Sequence, residues 1–188
     1  MKKIILFATA LLVMVACSKD EIGGTATESM AGQWYVNIDA VDESGNPIEG
    51  GEDYFGLGGP VIMVTYNTTA NNPTEMWIDD LGQWNVGAMY NAPYPSYTIK
   101  AKVSIDQSTL TFKSNEAANF GDGWGELEAM PVTIDGKILK GAGKQKNGSA
   151  ADSIVFFVSY KGDPWYPDDG YAKYKVSGIR YSGLEEND

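Results

Sequence analysis

Asp79 and Asp80 are a pair whose type and spacing suggest chemistry. Two carboxylates could divide acid and base roles in a hydrolysis. Adjacent residues of a strand point to opposite faces, so these two cannot share one substrate without a bend. A solvated turn is their expected role. Asn119, Asp122 and Glu126 bring oxygen ligands to a glycine-rich stretch, the ligand type that calcium takes. Their spacing is not that of an EF-hand, and no metal or cofactor is expected. Ser153 and Ser159 have no histidine to activate them and sit in no nucleophile elbow. Trp165, Tyr166 and Tyr171 would form either an exposed aromatic platform for a sugar or lipid, or an inward-folded loop.

The totals narrow the chemistry further. A chain of 188 residues with 43% hydrophobic side chains can bury one domain's core. Its net charge of -11 argues against neutralising nucleic-acid phosphates and suits a solvated, secreted surface. The chain has no histidine, which excludes histidine-ligated metals and histidine-based triads. Cys17 is the single cysteine, so no disulfide forms within the chain.

The first residues read as an address. Met1-Lys2-Lys3 precedes an apolar run, residues 4–15, too short to span a bilayer comfortably. Val15-Ala16-Cys17 resembles a bacterial lipobox, with Met14 where leucine is commoner. The resemblance implies a lipoprotein signal peptide over residues 1–16 and a diacylglycerol on the Cys17 sulfur that attaches the protein to a membrane. Two acyl chains anchor stably where one is marginal. Ser18-Lys19-Asp20-Glu21 is similar to the surface-export signal of some Gram-negative lipoproteins, which implies the outer membrane and its outward face. Residues 17–31 are polar and small, and read as a lipid-anchored flexible linker. Residues 32–188 are then the single folded domain, expected to be a monomer.

From Gly32 onward the chain must place its side chains on strands. Trp34, Val36, Ile38 and Ala40 alternate with polar residues and share one strand face. Residues 61–66 and 75–79 are further strands, and residues 83–90 read as another, weakened by Gly87. Residues 97–105 show the cleanest alternation, with Tyr97, Ile99, Ala101, Val103 and Ile105 on one face. A turn at 106–108 leads into residues 109–113, so the two form a hairpin. A short helical turn fits residues 115–119. Residues 127–134 are a modest strand, and Asp135-Gly136 is a strong hairpin-turn dipeptide leading into residues 137–143. Residues 152–160 and 171–181 are the last strands. Roughly eight to ten short strands at regular spacing indicate an all-β, antiparallel sandwich or barrel. Residues 42–60 are a long glycine-rich connection whose Tyr54, Phe55 and Leu57 fold either over a barrel mouth or against the side.

Gly32-Gln33-Trp34 on the first strand, with Arg180 on the last, resembles the lipocalin and calycin barrels. That resemblance implies an up-and-down barrel of about eight strands, closed at one end by Trp34 beneath the guanidinium of Arg180, a structural plug. A guanidinium over an indole face gains about 0.5–2 kcal/mol. A second resemblance covers most of the chain. Gly32-Gln33-Trp34-Tyr35-Val36, Met76-Trp77-Ile78-Asp79-Asp80, Gly141-Ala142-Gly143-Lys144, Asp152-Ser153-Ile154-Val155-Phe156 and Tyr174-Lys175-Val176-Ser177-Gly178-Ile179-Arg180 are similar to the lipid-binding putative hydrolase lipoproteins. It implies a calycin-like barrel and a lipid or other apolar ligand. The residues themselves supply no support for hydrolysis.

A binding barrel needs an apolar cavity with a few polar anchors. Val36, Ile38, Val103, Phe112, Phe156 and Tyr160 are candidate ligand contacts by alternation, with Tyr66 and Trp77 as mouth or wall residues. Each could equally fill the core. Three functions remain open: a non-catalytic, lipid-anchored binder of a small apolar or lipid-like ligand, a hydrolase using carboxylates or a metal, and an accessory surface protein with a filled core. Filling of the barrel by Phe112, Phe156 and Tyr160 would count against a ligand inside it.

Overall fold

The computed structural model describes residues 24–86, 91, 96–122, 128–165, 171–184 and 187. Eight antiparallel strands close into one barrel, each paired with its neighbours in sequence. They are β1 (Gly32–Val41), β2 (Val61–Asn67), β3 (Glu75–Asp79), β4 (Lys100–Asp106), β5 (Thr111–Ala117), β6 (Val132–Lys144), β7 (Ala150–Tyr160) and β8 (Lys173–Arg180). The up-and-down calycin-like barrel expected from the first and last strands is the fold. β1 closes on β8 with Trp34 opposite Arg180 and Val41 opposite Lys173, so no strand edge is left to pair with another chain.

Alternation places the core. Trp34, Val36, Ile38 and Ala40 point inward from β1, meeting Met63 and Thr65 from β2, Met76 and Ile78 from β3, and Phe156 and Val158 from β7, all buried. Connections alternate between the two ends. Residues 68–74, 107–110 and 145–149 link strands at one end by short spans, and this end is closed. Residues 42–60, 80–99, 118–131 and 161–172 make the long connections at the other end, called here the mouth.

Four local readings differ from the structure. Asp135-Gly136 is not a turn: β6 runs straight through it as thirteen residues. Gly136 is extended and faces inward, where a methyl group would lie 2.2 Å from Phe156 Cβ and 2.7 Å from the Phe112 ring. It is a glycine because two phenylalanines need the space, not because the chain reverses. Residues 115–117 continue β5 rather than forming a helical turn, with an irregularity between Ser114 and Ala117 where Glu116 takes a positive φ of 44°. Residues 80–84 form a turn held by the Asp80 carboxylate, so the strand expected over 83–90 is absent where it is described; residues 87–90 lie outside the described residues. Finally, residues 24–31 are not loose tether. Two overlapping turns, with Met30 N–H and Ala31 N–H both donating to Thr27 O at 2.9 Å, press Met30 and Thr27 into full burial against the closed end. Their small polar composition hid this, because a single methionine makes no periodic pattern. Residues 1–16, Cys17 and the rest of the linker up to residue 23 lie outside the described residues.

Candidate ligand site at the aromatic mouth

The closed end leaves no room for a ligand. The Arg180 guanidinium carbon lies 4.4 Å from the centroid of the Trp34 ring. Its Nη1 donates to the Ala31 carbonyl at 2.6 Å and its Nε to Asp152 Oδ2 at 3.3 Å. Gly32 permits this approach, since a methyl there would meet Nη1 at 2.2 Å. Beneath it the Trp34 N–H donates to Thr65 Oγ1 at 2.9 Å, and that hydroxyl donates onward to Met30 O at 2.7 Å. The buried indole N–H of Trp34 and hydroxyl of Thr65 are both paired, as burial requires.

The middle of the barrel is filled as well. Phe112 and Phe156 meet edge-to-face at 5.8 Å over Gly136, and Val36, Ile38 and Val103 are buried around them. Tyr160 stands above, buried, donating its hydroxyl to Tyr97 O at 2.6 Å. The six inward candidates therefore pack on one another. Tyr66 and Trp77 lie opposite each other on β2 and β3 but on the outer face. Tyr66 donates to Asp79 Oδ2 at 3.0 Å; partial burial, and then this bond, pushes its phenol up to about 12. Trp77 packs against exposed Phe120 at 5.7 Å, and Lys102 lies 5.7 Å from its centroid.

Three long connections converge above Tyr160. The β1–β2 loop brings Tyr54 and Phe55, the β3–β4 loop brings Tyr97, and the β7–β8 loop brings Asp163, Trp165 and Tyr171; Tyr174 rises from β8. Asp163 is the hub. Its Oδ1 accepts from Tyr97 OH at 2.7 Å and from Trp165 N–H at 3.0 Å, and its Oδ2 accepts from Tyr171 OH at 2.8 Å and Tyr174 OH at 3.1 Å. Burial, then the Asp163 charge, holds the Tyr97 phenol far above its ordinary value; burial does most of the same for Tyr171 and Tyr174. The three phenols thus stay protonated and donate. Trp165 and Tyr171 fold inward, Trp165 lying 5.1 Å from Tyr97, so neither forms an outward platform; Tyr166 lies outside the described residues.

Between the diverging ends of β7 and β8 a cleft of about 440 Å³ opens onto this hub, bounded by Tyr160, Asp163, Tyr171, Lys173 and Tyr174. A larger cleft of about 600 Å³ lies outside the barrel towards its closed end, against Tyr35, Lys144, Gln145 and Ile179. The mouth is the better candidate, because convergent polar groups set among aromatic walls mark a binding site more specifically than volume does.

The carboxylates of Asp79 and Asp80 are committed to the fold. Asp80 is buried and accepts the N–H groups of Gly82, Trp84 and Ile99 at 3.2, 2.8 and 3.1 Å. Asp79 faces Tyr66, Lys100 and the Leu81 N–H, so the two carboxylates do not converge. Asn119 clamps its loop through Thr98 O, Met130 O and the N–H groups of Lys100 and Gly121. No group of metal-ligating side chains occurs among the described residues, and Glu126 lies outside them.

Burial pushes Asp80 up to about 7 from 3.8, against the lowering effect of its three backbone hydrogen bonds. A carboxyl whose folded value is raised binds its proton more tightly when folded. The contribution of Asp80 to stability is then fully present at acid pH and is lost as pH rises from about 4 through about 7, by on the order of a few kcal/mol. Asp80→Asn should abolish that slope. The variant should be about 1 kcal/mol less stable at pH 4.5, having lost the bond to Trp84 N–H, and more stable at pH 8. Urea denaturation across that range checks both signs.

The hub was not singled out in the sequence. Asp163 lies between the last two expected strands with no pattern of its own, and Tyr97 and Tyr174 fall within expected strands. The local signal was aromatic density in two loops, Tyr54-Phe55 and Trp165-Tyr166, flanking one carboxylate. The family described as lipid-binding putative hydrolase matches residues 19–185. No curated protein matches the chain. With the match spanning the whole barrel, the chain belongs to the lipid-binding putative hydrolase family.

Proposed function

We propose that this protein is a lipid-anchored outer-membrane lipoprotein, facing the cell surface, that binds a small apolar or lipid-like ligand at the barrel mouth without catalysis. Family membership supports a lipid ligand. The observation that carries the placement is the Asp163 hub, where three of seven clustered aromatic rings donate their phenol hydroxyls to one carboxylate beside a cleft of about 440 Å³. Ligand pockets of ~300–1,000 Å³ with a few fixed polar groups are the usual arrangement. Phe112 and Phe156 close the route downward, so the ligand lies above Tyr160 rather than along the barrel axis. Asp79, Asp80 and Asp163 each spend their oxygens on fixed donors, which favours binding over carboxylate hydrolysis. That same packing of Phe112 and Phe156 also favours a second reading, an accessory surface protein with a filled core and no small ligand.

The test is lipid extraction and native mass spectrometry on protein purified from its own membrane. A stoichiometric apolar species is expected, reduced when Asp163→Ala and Tyr171→Phe are combined. A ligand-free protein with no thermal shift across neutral lipids would favour the second reading. Labelling with an alkyne fatty acid should mark the wild type and not Cys17→Ala, and protease treatment of intact cells reports the outward face.

A further inference from the structure

Phe55 occupies the middle of the mouth. It is 3% exposed, although it sits in a loop, and its ring lies 4.8 Å from Tyr97 and 5.0 Å from Tyr174, tilted 38° to each. Tyr54 beside it contacts Tyr171 and Tyr174 at 5.3 and 5.7 Å. A loop aromatic buried between the phenols of Tyr97 and Tyr174 stands where the apolar end of a ligand would lie.

The segment carrying it is a self-contained loop. Gly50, Gly56, Gly58 and Gly59 flank it with φ values of 73°, 67°, 78° and 136°. A methyl at Gly50, Gly58 or Gly59 would meet nothing within 4 Å, so packing does not demand glycine there; the backbone conformation does. Asp53 holds the tip together, accepting from Leu57 N–H and Gly58 N–H at 2.9 Å each while itself taking a φ of 44°. Three hydrogen bonds tie the segment to β1: Ala40 N–H to Gly51 O at 2.8 Å, Tyr54 N–H to Ile38 O at 3.2 Å and Asp53 N–H to Asp39 Oδ1 at 3.2 Å. It therefore has internal stiffness, positive-φ glycines on both sides and a docked apolar tip.

We infer that Phe55 is a built-in occupant of the ligand site, displaced by an amphiphile that carries no negative charge. The charge preference follows from Asp163. A ligand carboxylate or phosphate entering beside it would face a fixed like charge whose phenol donors are already engaged. A hydroxyl or ammonium head meets no such repulsion.

This inference rests on the binding reading above, and the experiment separates the two. Decanol, decyltrimethylammonium and decanoate share one tail and differ in head charge; each is titrated below its aggregation threshold into the full-length protein. Decanol and decyltrimethylammonium are expected to bind at least tenfold more tightly than decanoate. Phe55→Ala is expected to tighten both by about tenfold, because the competing side chain is gone. Phe55→Leu, which keeps the core covered, should give a smaller gain of the same sign, with thermal melts confirming that both variants fold. Saturating decanol should also speed cleavage at Glu49 and Glu52 by a glutamate-specific protease. Unchanged affinity in both Phe55 variants, or unchanged cleavage, would overturn the occupant while leaving ligand binding standing. Equal or tighter decanoate binding would overturn the charge preference. No binding of any probe to wild type or either variant would overturn the binding reading itself.

Discussion

Gly136→Ala should destabilise the protein by about 3 kcal/mol or more, at the upper end of what overpacking costs. The added methyl would meet Phe156 Cβ at 2.2 Å, an atom fixed to the β7 backbone that no rotamer change can move away. The Phe112 ring, at 2.7 Å, can rotate or be trimmed. Phe112→Leu in the Gly136→Ala background should therefore recover only part of the loss. Urea denaturation should show a lower midpoint with an unchanged slope, the mark of a stability change rather than a changed unfolded state. Full recovery by Phe112→Leu would mean that the β7 backbone yields where the packing says it cannot. The result bears on function too, because an interior this tight at Gly136 leaves a ligand no path below Tyr160.

Trp34→Ala should cost about 3–5 kcal/mol, the range for emptying a buried indole site. Trp34 is fully buried, and its loss also removes the N–H that donates to Thr65 Oγ1, which keeps only its own bond to Met30 O. Arg180→Ala should cost less. It leaves Asp152 with Lys140 Nζ at 2.9 Å and Gly141 N–H at 3.1 Å, but frees the Ala31 carbonyl. The double variant should lose less than the sum by about 0.5–2 kcal/mol, the coupling expected of a guanidinium over a partly shielded indole. Strict additivity would make their contact incidental and remove the plug as an energetic unit. Arg180→Lys should behave nearly like Arg180→Ala, because an ammonium cannot lie flat on the ring and reach Ala31 and Asp152 together.

The frame was legible because its signals are local or periodic. Period-two alternation named the buried face of β1 from Trp34 to Ala40, and the lone arginine on the last strand pointed to its tryptophan partner. Asp135-Gly136 misled because turn propensity is a statement about backbone freedom, whereas this glycine answers to side-chain volume on two other strands. Gln83 and Trp84 misled because the buried Asp80 carboxylate captures three backbone N–H groups and winds the chain there. The mouth was the least legible part. Asp163, Tyr97, Tyr171 and Tyr174 acquire a common meaning only when three loops meet, and no spacing in one chain announces that. Tyr66 and Trp77 show the reverse: aromatic residues on confident strands whose parity, once fixed by pairing, turns them outward.

The pairing of the first strand with the last has a consequence for timing. Trp34 finds Arg180, and Ile38 finds Val176, only when β8 has been made and released. An unfinished chain has seven strands and two raw edges, with the floor of the barrel uncovered. Non-local closure of this kind is slow, typically milliseconds to seconds. The barrel therefore cannot close for as long as its C-terminus is held by the ribosome, and closure is what sets Arg180 over Trp34.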